Sequence, residues 1–160
     1  MSGISIITGG GSGIGRALAK RLASKAQPVL IVGRQSETLQ QTKDQSTNPS
    51  YIRTLVADVS QPSGRDQIVQ SLQTHHVTHV NHLIHNAALL EPCGPLMGVD
   101  LESWRHHMAV NVEGPLFLTQ NLLHLLQRTE EGETGGRVLH ISSGAAHHGY
   151  RGWVCTCVNV

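Results

Sequence analysis

Thr8-Gly9-Gly10-Gly11-Ser12-Gly13-Ile14-Gly15 (TGGGSGIG) is the stretch on which the fold turns. A short β-branched run, residues 4–8, leads into it. Behind it, Ile14, Leu18 and Leu22 recur at four-residue spacing, one face of a helix over residues 13–26. Glycine lets the backbone turn sharply and lets a diphosphate come close. The free N–H groups and positive end of the helix then favour phosphate oxygens. A glycine-rich string alone marks only a turn; a strand before it and a helix after it make it a dinucleotide-binding loop.

Outward from the loop, strand and helix patterns alternate. Residues 28–33 (PVLIVG) form a continuous apolar run, as expected of a strand buried on both faces. Polar residues 36–46 fit an exposed helix and residues 51–59 a further strand. Residues 63–74 fit a weakly amphipathic helix and residues 80–88 the next strand. A long helix is expected from Asp100 to about Arg128, bent at Gly114-Pro115 because proline removes a backbone donor. Leu116, Leu122, Leu123 and Leu126 on it read as core and interface. A charged turn, residues 130–136, leads to a last strand, residues 137–142. This alternation predicts an α/β fold: a Rossmann-like, doubly wound parallel sheet covered by helices on both faces.

The 160 residues fit a single domain, residues 1–160. Hydrophobic residues make up 39% and charged residues 14%, a folded rather than a disordered composition. Twelve basic and eleven acidic residues leave a charge near +1, and no basic block points to nucleic acid or an anionic membrane. No apolar run reaches the ~18 residues of a membrane span, and the N-terminus lacks the pattern of a secretory signal. Cys93, Cys155 and Cys157 form no disulfide framework, so reduced thiols and a cytoplasmic location are expected. The eleven histidines read as dispersed surface residues. His79, His82 and His85 alternate faces of one strand, adjacent pairs such as His106-His107 point apart, and no metal site is expected.

The end of the second strand selects between the nicotinamide cofactors. An acid there would bind ribose hydroxyls, whereas an arginine suits a 2′-phosphate. The chain has Gly33-Arg34 with no acid until Glu37, so NADP(H) is expected over NAD(H).

Together these residues resemble the short-chain dehydrogenase/reductase family. The loop has that family's TGxxxGxG form, with Gly9, Gly11, Ser12, Gly13, Ile14 and Gly15 as its cofactor-binding positions. Asp58-Val59 is similar to the adenine-contacting pair, and Asn86-Ala87-Ala88 resembles Asn-Ala-Gly, with Ala88 in place of glycine. Asn111-Val112-Glu113-Gly114 is similar to the Asn-x-x-Gly element, and Ile141-Ser142-Ser143 to the strand that delivers the active-site serine. The resemblance implies reversible hydride transfer between NAD(P)H and a small carbonyl or alcohol. It implies Ser143 as donor to the substrate oxygen and Asn111 as anchor of a proton-relay water. It also implies a homo-oligomer whose interface helix is missing from this sequence.

The same resemblance exposes a gap. The family's Tyr-x-x-x-Lys falls, counted from Ser143, on Thr156 and Val160. An aliphatic hydroxyl is far less acidic than a phenol, whose pKa is about 10. Tyr150 lies too close to Ser143 and has no following lysine, and reads as a loop aromatic near the cofactor entrance. The sheet is accordingly expected to be incomplete at its C-terminal side, with residues 138–141 as an uncovered edge. Three readings follow: an oxidoreductase by descent, inactive in this form; a non-catalytic nucleotide-binding module; or a truncated product without independent function.

Overall fold

The computed structural model describes residues 3–127 and 135–153. Its strands are β1 (Ile4–Thr8), β2 (Val29–Gly33), β3 (Ile52–Val56), β4 (Val80–His85) and β5 (Arg137–His140). Its helices are α1 (Gly13–Ser24), α2 (Ser36–Asp44), α3 (Pro62–Thr74), α4 (Leu101–Met108) and α5 (Gly114–Leu126). The strands form one sheet in the order β3-β2-β1-β4-β5, and every pairing is parallel. The expected doubly wound architecture is therefore present. The chain winds outward from β1 to β3, then returns to lay β4 on the other side of β1. That reversal opens a crevice at the C-terminal ends of β1 and β4, where ligands of such sheets bind.

Period-two alternation divides the apolar residues between two cores. Ile6, Leu30, Val32 and Leu83 face α3 and α5, against Ile68, Leu72, Leu118 and Leu122. Ile7, Ile31 and Ile84 face α1 and α2, against Ala19, Ala23 and Leu39. Each such side chain, fully buried, stabilises the fold by roughly 1.5–3 kcal/mol. The small Ala19 and Ala23 let α1 lie close to the sheet, which aims its N-terminus at the crevice.

Three expectations need correction. Helix α2 is not merely an exposed helix: Leu39 and Thr42 on it are buried. The long helix is not continuous α-helix at Gly114-Pro115. A π-helical turn, Ala109–Glu113, joins α4 to α5, and the Gly114 N–H bonds the Ala109 carbonyl. Pro115 has no N–H to continue the regular ladder, and the wider turn absorbs that loss. The histidines are not all on the surface, since His85 is 5% exposed and His107 is fully buried. Of the α5 leucines, Leu118, Leu122 and Leu126 are buried in the core, as expected, while Leu116 and Leu123 are exposed.

Among the described residues β5 is an edge of the sheet, and all its side chains, Arg137 to His140, are exposed. Most of the turn expected over residues 130–136, together with Cys155, Thr156, Cys157 and Val160, lies outside the described residues. No described helix is long and apolar enough to cross a membrane. Among the described residues, no three His, Cys, Asp or Glu side chains are grouped so as to hold a metal ion.

Candidate functional site

The glycine loop is shaped by close approaches. Gly9 has φ +67°, and a Cβ there would lie 2.8 Å from Asn86 Nδ2. A Cβ on Gly15 would overlap the Gly9 carbonyl oxygen. Thr8 stitches β1 to β4: its Oγ1 accepts the N–H groups of Asn86 and Ala87, each at 3.1 Å. Asn86 Nδ2 returns two bonds, to the carbonyls of Thr8 and Gly9, each at 3.1 Å. Two residues that sequence reasoning missed brace the loop from the helices. Thr42 Oγ1, whose single hydrogen is shared between the Thr38 carbonyl at 2.9 Å and the Gly10 carbonyl at 3.1 Å, packs on the loop, and Arg16 Nε donates to Gly11 O at 3.1 Å. The carbonyls of Thr8, Gly9 and Gly11 are thus engaged by protein donors.

Above the loop is a cleft of about 260 Å³. Gly9 and Ser12 line it from the loop, and Arg34 from the end of β2. Asp58 and Val59 line it after β3, and Asn86, Ala87 and Ala88 after β4. The Asp58 carboxylate is held by Ser60, whose N–H and Oγ donate to Oδ1 at 3.0 and 2.7 Å. Arg34 is exposed at the rim. Gly11, Gly13, Ile14 and Gly15 do not line the cleft. Gly13 (φ +49°) and Gly15 permit the loop's course, and Ile14 is 57% exposed.

A second cavity, about 190 Å³, lies past Ala88 and is lined by His85, Asn111, His140 and Ser142 among others. The π-helical turn carries Asn111, and such turns frequently occur at functional sites. Asn111 grips the backbone of Leu89: its Oδ1 accepts the Leu89 N–H at 2.8 Å, and its Nδ2 donates to Leu89 O at 2.9 Å. Ser143 does not line this cavity; its Oγ accepts the Ala145 N–H at 3.0 Å, capping the turn Gly144–Ala146. Tyr150 packs on Trp153, ring centroids 5.1 Å apart.

The floor of the second cavity carries an imidazole pair. His85 and His140 rings lie 4.7 Å apart, and His85 Nε2 is 2.8 Å from Thr119 Oγ1. Burial, with His140 beside it, lowers the His85 pKa from 6.5 to about 4. Between those values the unfolded chain binds a proton that folded His85 does not. Stability is therefore full above pH 6.5 and falls as pH drops toward 4, by on the order of 3 kcal/mol from this group. Urea midpoints at pH 7 and pH 4.5 should fall further for the wild type than for His85→Gln. Equal falls would remove His85 as the cause.

The model of the short chain dehydrogenase family matches residues 4–156. The chain belongs to the short-chain dehydrogenase/reductase family. It is 30% identical over 152 residues to the short chain dehydrogenase/reductase dpmpG of Macrophomina phaseolina, covering 94% of this chain and 85% of that protein. It is 31% identical over 144 residues to the NADPH-dependent 3-dehydrocapnine reductase of Ornithobacterium rhinotracheale, covering 88% of this chain but 49% of that one. The fold is similar to the crystal structure of a short-chain dehydrogenase from Streptomyces avermitilis, with a TM-score of 0.87 and 23% identity, over 99% of this chain and 56% of that chain. The chain thus spans about half the length of the Ornithobacterium and Streptomyces proteins.

For this short-chain dehydrogenase/reductase, the structure brings eight of the expected cofactor residues to one cleft: Gly9, Ser12, Arg34, Asp58, Val59, Asn86, Ala87 and Ala88. Asn111 reaches the neighbouring cavity. The cleft suits a dinucleotide: a glycine turn at a helix N-terminus, a carboxylate beyond β3 and a cation at the end of β2.

Proposed function

We propose that this chain binds NADP(H) and descends from enzymes that reduce a small carbonyl compound to an alcohol, or the reverse, and that it is inactive in this form. The observation that carries the cofactor reading is Arg34 lining the cleft at the end of β2, where an acid would favour NAD(H). The NADPH-dependent relative from Ornithobacterium supports the same choice.

The nicotinamide, when bound, would give or take the hydride, and the chain's own residues would bind and orient. The loop and the start of α1 would hold the diphosphate, Asp58-Val59 would contact the adenine, and Asn86-Ala87-Ala88 would line the cofactor from the end of β4. Ser143, the serine that the resemblance assigns to the substrate oxygen, caps the turn Gly144–Ala146 through its Oγ and would have to turn toward the cavity to donate its proton there. Asn111, locked to Leu89, holds the relay water at the cavity wall. What the sequence does not supply is the acid: Thr156 stands in the tyrosine's place and Val160 in the lysine's. Loss of a positioned general acid costs about 10²–10⁴ in rate. That substitution also favours the second reading, a nucleotide-binding module without catalysis.

The test mixes the purified chain with NADPH and a panel of aldehydes and diketones. NADPH oxidation is expected at least about 100-fold slower than in relatives that carry the tyrosine. A rate equal to theirs overturns the inactivity.

A further inference from the structure

His107 is a fully buried histidine for which hydride-transfer chemistry has no use. It stands in the last turn of α4, one helical turn before Asn111, while its neighbour His106 is exposed. Its Nδ1 is 2.7 Å from the Glu91 carbonyl oxygen, and its Nε2 is 3.0 Å from Asn111 Nδ2.

These contacts have one consistent proton arrangement. The Leu89 N–H must meet an oxygen and the Leu89 carbonyl must meet a donor, which fixes which end of the Asn111 amide is which. One Asn111 amide hydrogen goes to Leu89; the other points at His107 Nε2. That nitrogen is therefore a bare acceptor. A carbonyl can only accept, so Nδ1 carries the hydrogen and donates it to Glu91. The alternative tautomer would press N–H against N–H at a side chain that is itself fully buried. His107 thereby holds residues 89–91 at both ends, Glu91 directly and Leu89 through Asn111. Leu89 lines the cofactor cleft and Asn111 lines the cavity beside it.

We infer that His107 is a positioning residue: as the Nδ1–H tautomer it sets the Asn111 amide and pins residues 89–91 between the cleft and the second cavity. The role rests on the reading of Asn111 as the water-holding group proposed above.

The test is nitrogen-15 NMR of the histidine- and asparagine-labelled chain, with NADPH titrations of two variants. His107 is expected to show a protonated Nδ1 and a bare Nε2, with coupling across the hydrogen bond from Asn111 Nδ2 to that nitrogen. His107→Gln keeps an acceptor toward Asn111, and should retain the wild-type Asn111 amide signals and nearly the wild-type affinity. His107→Leu removes both bonds; it should shift the Asn111 amide signals and weaken NADPH binding about three- to tenfold. A protonated Nε2 in the wild type, or unchanged Asn111 signals in the leucine variant, overturns the inference. If the leucine variant does not fold, the wild-type spectrum still decides. If NADPH binds no form of the chain, the cofactor reading fails, while the spectrum judges His107 separately.

Discussion

Gly15→Ala should weaken NADPH binding by at least about tenfold and up to about a hundredfold, the equivalent of the roughly 1–3 kcal/mol that overpacking costs. The added methyl would overlap the Gly9 carbonyl and come within 2.6 Å of Asn86 Nδ2. Neither can give way alone. Asn86 holds the Gly9 carbonyl by the same amide nitrogen that also bonds Thr8 O, so displacing it unstitches β1 from β4. The methyl is therefore expected to open the turn proposed to receive the diphosphate and to lower the melting temperature together. Gly98→Ala is the control: a Cβ there meets nothing within 4 Å, and both quantities should hold. Calorimetric titration with NADPH and a thermal melt read the two effects. An unchanged affinity in Gly15→Ala would mean that the diphosphate does not rest on this loop.

Arg34→Glu should invert the cofactor preference. A charge-assisted bond to a phosphate contributes about 1.5–3 kcal/mol, so NADPH affinity should fall by about tenfold to a hundredfold. The new carboxylate repels the 2′-phosphate yet suits two ribose hydroxyls, so NADH affinity should hold or rise. Arg34 is exposed, and the wild-type preference should therefore shrink as salt is raised. Titrations of both cofactors at low and high ionic strength measure all of this. A variant that keeps its NADPH preference would place the 2′-phosphate elsewhere.

The parts that could be read from sequence were those in which neighbours along the chain carry the signal. A β-branched run, a glycine turn and a four-residue apolar period announced β1, its loop and α1. The apolar run at residues 28–33 announced a buried strand. Arg34 could be placed at the cofactor from its position after β2, whereas Asp58 and Asn86 were assigned through the resemblance of their motifs to those of the family. The braces were not legible, because they join residues far apart in sequence. Thr42 meets Gly10 from within a polar helix, and His107 meets Glu91 across 16 positions. Nothing in the pattern of α2 marks Thr42, and His107 read as half of a surface pair. The π-helical turn was hidden for another reason: Gly114-Pro115 signals a broken ladder but does not say whether the helix kinks or widens. Strands β3 and β4 also end earlier than the apolar pattern, at Val56 and His85. The residues beyond them leave the sheet to line the cleft.

The most direct measurement is calorimetric titration of the unmodified chain with NADPH and, separately, NADH. The expected result is one NADPH per chain, bound at least about tenfold more tightly than NADH, the margin one charge-assisted bond supplies. No NADPH binding, or NADH bound as tightly, would contradict the assignment of this cleft and of Arg34.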